Sequence, residues 1–149
     1  MNDVMRITKR KRICGIVSRM TLPFKLDLFL SRYDDVDAAR YRQRLMKISV
    51  SAGTMLFARG DKSSDVYFIE SGAVRSVNHS ASGRAVFFYS YNAGDMFGHF
   101  AGLTDGTRSA DIMADTECVL WRCDAATFQQ MIANHPDNAL DMMRILGGF

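Results

Sequence analysis

Between residues 97 and 111 the sequence reads FGHFAGLTDGTRSAD, with Gly98 and Arg108 ten positions apart and small residues between them. Gly98, then Ala101, Gly102 and Leu103, suits a tight bend running into one short helical turn. The first amides of such a turn have no internal acceptor and point outward as donors for an anion. Arg108, a planar and permanently charged fork, is suited to face a phosphate across that bend. Ser109 adds a hydroxyl. The spacing predicts a cradle for one phosphate of a small ligand, built from backbone N–H groups of residues 98–103, Arg108 and Ser109. His99 has two chemical options: a neutral imidazole accepts one hydrogen bond, whereas a proton kept by a nearby phosphate makes it a second anion donor. Phe97 and Phe100 are expected in the core, and Gly94, Gly98 and Gly102 serve the turn geometry.

Other chemistry finds little support. His79, His99 and His135 are the only histidines, and none stands in a metal-binding spacing. There is no Gly-x-Ser-x-Gly, no Walker-type loop and no Cys–His pair of catalytic type, so neither an enzyme nor a metal is expected. His79 is read as a strand-end or loop residue, and His135 as a helix-end residue near the negative end of the dipole. Cys14, Cys118 and Cys123 are odd in number and lack metal spacing, which fits inert thiols in a reduced, cytoplasmic setting. The ten methionines suit adaptable packing. Trp121 should pack in its strand with its N–H on a partner.

The elements that must position these residues fall into three zones within 149 residues, a length suited to one domain. Apolar residues are 48% and charged ones 23%, an ordinary globular balance. No apolar run reaches 18 residues, and ICGIV is too short for a signal-peptide core. Residues 1–25 carry seven Lys/Arg against one Asp, and residues 26–149 twelve against fifteen acids. The basic arm, residues 6–19, is thus suited to an anionic surface, unless it is simply a solvated terminus. Residues 1–45 read as mainly helical, broken at Pro23, with DDVDAARYRQRL as a polar helix. From 46 to 123, short runs (MKISV, TMLFA, DVYFIE, AVRSV, AVFFYSY, DIMA, CVLWRC) arrive between glycine turns and predict an all-β sandwich, barrel or roll. Residues 125–146 return to helical spacing. Asp124 caps the first helix, Phe128, Met131 and Ile132 share its face, and a second helix follows Pro136.

Read in order, SAGTMLFARGDKSSDVYFIESGAVR, AGDMFG and TRSA resemble a cyclic nucleotide-binding domain of the catabolite-activator and kinase-regulatory-subunit superfamily, over roughly residues 46–135. The resemblance implies a mainly β fold: an eight-stranded antiparallel β-roll, jelly-roll-like, with N- and C-terminal helices. Residues 1–45 would form the basic helical segment, 46–135 the roll, and 136–149 the start of a C-terminal helix. It also names the opening stretch as a phosphate-binding cassette, making Phe97, Gly98, His99, Phe100, Ala101, Gly102, Arg108, Ser109 and Ala110 the ligand-binding residues. The ligand implied is a cyclic nucleotide, cAMP ahead of cGMP, with the base met by Val86 to Phe88 or by the terminal helix. His99 departs from the family pattern, which has a glutamate accepting from the ribose 2′-hydroxyl. No helix-turn-helix follows the roll, so specific DNA binding is not expected. The signal would pass through DNALDMMRILGGF to a protein partner, or to self-association through terminal helices. The alternatives are a ligand-free interaction module, or a regulatory piece of a larger channel, transporter, cyclase or transcription regulator.

Overall fold

The computed structural model describes residues 24–83 and 86–147. The basic arm, Cys14 and the helix expected before Pro23 lie outside the described residues. Two helices come first, α1 (Phe24–Leu30) and α2 (Asp35–Gln43). Six strands follow: β1 (Met46–Val50), β2 (Met55–Phe57), β3 (Val66–Ser71), β4 (Val74–His79), β5 (Val86–Tyr91) and β6 (Met96–Phe97). A five-residue helix α3 (His99–Leu103) precedes β7 (Asp111–Ala114) and β8 (Cys118–Cys123), and α4 (Ala125–Ala133) and α5 (Pro136–Gly147) end the fold. The strands form two antiparallel four-stranded sheets, ordered β1-β8-β3-β6 and β2-β7-β4-β5. This is the mainly β roll with flanking helices that the strand spacing and the resemblance imply.

Burial on β3 explains the layers. Its apolar run Val66–Ile69 is almost fully buried on both faces, because the sheet is covered on both sides. Val66 and Phe68 face a cluster with Leu26, Phe29, Phe128, Met131 and Met142 from the helices. Tyr67 and Ile69 face the other way, into a second cluster between the sheets with Phe57, Val74, Phe97, Ile112 and Leu120. Alternation with period two therefore splits one hydrophobic run between two cores. The buried face of α4 carries Phe128, Met131 and Ile132, as its periodicity predicts. Asp124 caps α4 by accepting from the Thr127 amide at 3.1 Å, and Asp34 does the same for α2 at 2.8 Å from the Asp37 amide.

Several local expectations come out differently. The eighth strand is the two-residue β6, too short to show a periodic pattern. Phe100 is 55% exposed rather than in the core, since it lies on the outer face of α3. Pro136 opens α5 instead of only ending the helix before it, where its missing N–H costs nothing. His135 sits between the two helices, and its Nδ1 accepts from the Asp137 amide at 3.2 Å, so it also caps α5. Trp121 donates its indole N–H to Glu70 Oε1 at 2.8 Å, and His79 ends β4. Cys118 and Cys123 are buried free thiols, and burial pushes Cys123 up to about 12.

Candidate functional site

Arg108 is held from every side. Its amide donates to Asp61 O at 2.9 Å and its carbonyl accepts from Gly60 N at 2.8 Å, so the loop before β3 pins the backbone. Its side chain, 3% exposed, donates from Nε to Ser63 Oγ (2.7 Å), from Nη1 to Gly98 O (3.1 Å) and from Nη2 to Asp65 O (2.8 Å). The guanidinium carbon lies 3.8 Å from the centroid of the Phe57 ring. Among the described residues it makes no ion pair. Among the described residues three of its five N–H groups are committed, leaving one on each terminal nitrogen. Burial lowers its pKa from the usual value, opposed by Tyr67, Asp65 and Asp61.

Gly98 makes this arrangement possible. It has φ +80°, and a Cβ there would stand 2.9 Å from both Arg108 Nη1 and Asp65 O. The bend feeds α3, where Gly102 N–H closes on Gly98 O at 3.3 Å. The amides of residues 99–101 precede any intrahelical acceptor. Gly102 lets α3 lie close on β3, since a Cβ would meet Val66 Cγ2 at 2.6 Å, and Gln129 Nε2 anchors its carbonyl at 2.8 Å.

A cavity of about 440 Å³ opens beside Arg108. Gly98, His99, Phe100, Ala101, Arg108, Ser109 and Ala110 line it, together with Lys25, Phe57, Ser76, Asn78, Tyr89, Tyr91, Asp95, Met96, Ile112 and Ile145. His99 is part-buried with Nδ1 shielded from solvent and unpartnered among the described residues. Burial, and then the charge of Lys25, lowers its pKa from 6.5 to about 4. That shift favours the neutral, hydrogen-bond-accepting form near pH 7. Lys25 pairs with Asp95 at 3.3 Å on the same rim.

The family profile described as Cyclic nucleotide-binding domain matches residues 47–135. This chain belongs to that family. As a cyclic nucleotide-binding domain it is similar to several solved structures. A triple mutant of the regulatory subunit of a cAMP-independent protein kinase A from Trypanosoma brucei, bound to cAMP in the A site, aligns with a TM-score of 0.68 at 19% identity, over 83% of this chain and 44% of that one. The co-crystal structure of the regulatory domain of Toxoplasma gondii PKA with cAMP gives 0.63 at 25%, over 74% and 42%. The Thermus thermophilus catabolite activator protein gives 0.67 at 20%, over 80% and 56%. By sequence, the domain is 33% identical over 87 residues to the cAMP-dependent protein kinase regulatory subunit of Blastocladiella emersonii, covering 58% of this chain and 21% of that protein. It is 27% identical over 145 residues to the lysophospholipase NTE1 of Cryptococcus neoformans, spanning 97% of this chain and only 8% of that protein.

Of the nine cassette residues read from the sequence of this cyclic nucleotide-binding domain, seven line the cavity. Phe97 lies beneath it, fully buried and stacked on Tyr67 at 5.0 Å, and Gly102 faces β3. Val86 and Phe88 do not line it; Phe88 lies on the outer face under Arg75, 5.1 Å from its guanidinium carbon. The terminal helix does contribute, through Ile145. Sequence reasoning missed Lys25, Phe57, Ser76, Asn78, Tyr89, Tyr91, Asp95, Met96 and Ile112. Ser76 left a trace in the sequence, as a polar residue within the predicted strand AVRSV, whereas Asn78 lies one position beyond that run. Among the described residues no group of His, Cys, Asp and Glu could hold a metal ion, and no helix is long and apolar enough to cross a membrane.

Proposed function

We propose that this domain binds a 3′,5′-cyclic mononucleotide reversibly, cAMP ahead of cGMP, and passes the event on by movement of its flanking helices without catalysing a reaction. The observation that carries the reading is Arg108: a buried guanidinium with no ion-pair partner among the described residues, two uncommitted N–H groups and a cavity beside it. A buried cation is costly unless an anion compensates it, and a cyclic phosphate is an anion of the right size for that fork. The donors expected from residues 98–103 narrow to the amides of 99–101, because the Gly102 amide is spent inside the turn. Ser109 supplies a hydroxyl at the cavity edge. His99, neutral, acts as an acceptor for a ribose hydroxyl in place of a glutamate, with one lone pair and no charge. Ligand contact with Ile145 would favour the docked position of α5 and so shift a pre-existing equilibrium.

The chain spans about 8% of the lysophospholipase it matches and 21% of the kinase subunit, so its role as a regulatory piece of a larger assembly in the cytoplasm is part of this proposal. Calorimetric titration with cAMP and cGMP tests it. Saturable heat with the wild type, lost in Arg108→Ala and weakened in Arg108→Lys, is the expected result. Silence with both nucleotides at millimolar concentration overturns it. A second reading, an assembly module without ligand, draws on the outward apolar stripe Leu140, Met143 and Leu146 of α5. That reading predicts concentration-dependent self-association or partner capture indifferent to Arg108.

A further inference from the structure

Strand β4 departs from the pattern expected of an interior-facing strand. Val74, Ser76 and Asn78 alternate with Arg75 and Val77, and the register puts Ser76 opposite the buried Ile112 of β7. Two polar side chains therefore occupy positions where the inside of a roll ordinarily takes apolar ones, a break in local consistency that marks a function. Ser76 is 5% exposed, Asn78 donates from Nδ2 to Ser76 Oγ at 3.1 Å, and both line the cavity.

Their place relative to the anion end follows from strand pairing. Phe57 faces Ile112, Ile112 faces Ser76, and Ser76 faces Tyr89, one row across four strands. Neighbouring strands lie about 4.8 Å apart, which sets Ser76 about 10 Å from the Phe57 position beneath the Arg108 guanidinium. A mononucleotide phosphate and the far edge of its base are separated on that scale. Among the described residues, Asn78 keeps its second Nδ2–H and its Oδ1 after bonding to Ser76. A donor and an acceptor side by side match the N6–H and N7 of adenine. Against a 6-oxo purine, which shows two acceptors on that edge, the amide oxygen faces another oxygen. Ser76, by accepting from Asn78, holds the amide in place and retains its own hydroxyl proton.

We infer that Asn78, oriented by Ser76, is the residue that discriminates 6-amino from 6-oxo purines in this cavity. The inference rests on the cyclic mononucleotide reading above and adds the group that reads the base. The test is calorimetric titration of the wild type, Asn78→Ala and Ser76→Ala with cAMP and with 3′,5′-cyclic inosine monophosphate, which carries oxygen in place of the amino group. The wild type should favour cAMP by about tenfold or more. Asn78→Ala should bring the ratio to within about threefold, chiefly by weakening cAMP, and Ser76→Ala should reduce it part-way. Asn78→Thr, whose branched side chain suits a strand, makes the same test if the alanine variant does not fold. A wild-type ratio near one, or a ratio unchanged in both Asn78 variants, overturns the assignment while leaving nucleotide binding intact. No heat with either nucleotide in any protein overturns the cyclic mononucleotide reading, and this assignment falls with it.

Discussion

The guanidinium of Arg108 rests 3.8 Å above the ring of Phe57, and the two residues come from loops and strands half the domain apart in sequence. The stack fixes the plane of the fork, while Ser63, Gly98 and Asp65 fix its rotation. Arg108 thus carries a structural duty along with any ligand duty, and the two are separable. Arg108→Ala removes the side-chain donor to Asp65 O and to the exposed Ser63 hydroxyl, while Gly98 O keeps the Gly102 amide, and should lower stability by about 1–3 kcal/mol. Phe57→Leu keeps every hydrogen bond and removes only the ring, costing about 1–2 kcal/mol. Urea midpoints for both variants, beside cyclic nucleotide affinities, check this. Equal stability losses in the two variants would contradict the separation.

His99 makes stability depend on pH with a definite sign. Its folded pKa, about 4, lies below its ordinary 6.5, so the folded state binds fewer protons between those values. The stabilisation it contributes is complete above about pH 6.5 and is lost as pH falls towards 4, a change on the order of 2–3 kcal/mol. Lys25 and Asp95 share the rim, and carboxylates elsewhere also titrate at the acid end. The informative quantity is therefore the difference between wild type and His99→Gln. That difference should shrink steadily from pH 6.5 to 4.5 in chemical denaturation, and a flat difference would contradict a neutral His99. His99→Glu should tighten cyclic nucleotide binding, because a carboxylate restores a second acceptor oxygen for the ribose.

How much of this was legible in the sequence depends on range. The all-β body, the cap at Asp124 and the bend at Gly98 follow from local chemistry, the roll itself comes from the resemblance, and Gly98 does take a positive φ. The short strand β6 and the outward turn of Phe100 escape, because two residues carry no period and one helical turn has no settled inside. The cavity walls escape for another reason. Tyr89 and Tyr91 sit in a run of apolar and aromatic residues on β5, and only register with β4 decides which of them face inward. Lys25 and Ile145 reach the cavity from opposite ends of the fold, a proximity set by helix packing.

Gly98 and Gly102 look alike in sequence and should behave differently when replaced. Gly98→Ala meets a left-handed φ and two atoms at 2.9 Å, one of them Arg108 Nη1, so it should cost about 2–3 kcal/mol and also weaken the cyclic nucleotide site. Gly102→Ala drives a methyl to 2.6 Å from Val66 Cγ2 on the fully buried side of α3, away from the cavity. Its cost should be about 1–2 kcal/mol, with affinity little changed. Val66→Ala should relieve part of the Gly102→Ala defect and none of the Gly98→Ala defect. A double-mutant cycle measures both, and coupling of Val66 to Gly98 would contradict the geometry.

Asn138 ties the terminal helix to the first one. Fully buried, it donates to Phe29 O at 3.1 Å and Met131 O at 3.0 Å, and it accepts from Arg32, which also pairs with Asp141 at 2.6 Å. Asn138→Ala removes the side-chain donor to Phe29 O and leaves Met131 O with the Tyr33 hydroxyl at 2.6 Å, and should cost about 1–3 kcal/mol. Asn138→Asp should cost more, because a carboxylate oxygen would then face those carbonyls at close range. Ile145 lies seven residues further along the same helix and lines the cavity, so loosening the Asn138 end should also raise the dissociation constant for cyclic nucleotide. Denaturant midpoints and calorimetric affinities read the two effects together. An Asn138→Ala protein that loses stability yet binds nucleotide as tightly as the wild type would mean that α5 takes no part in holding the ligand.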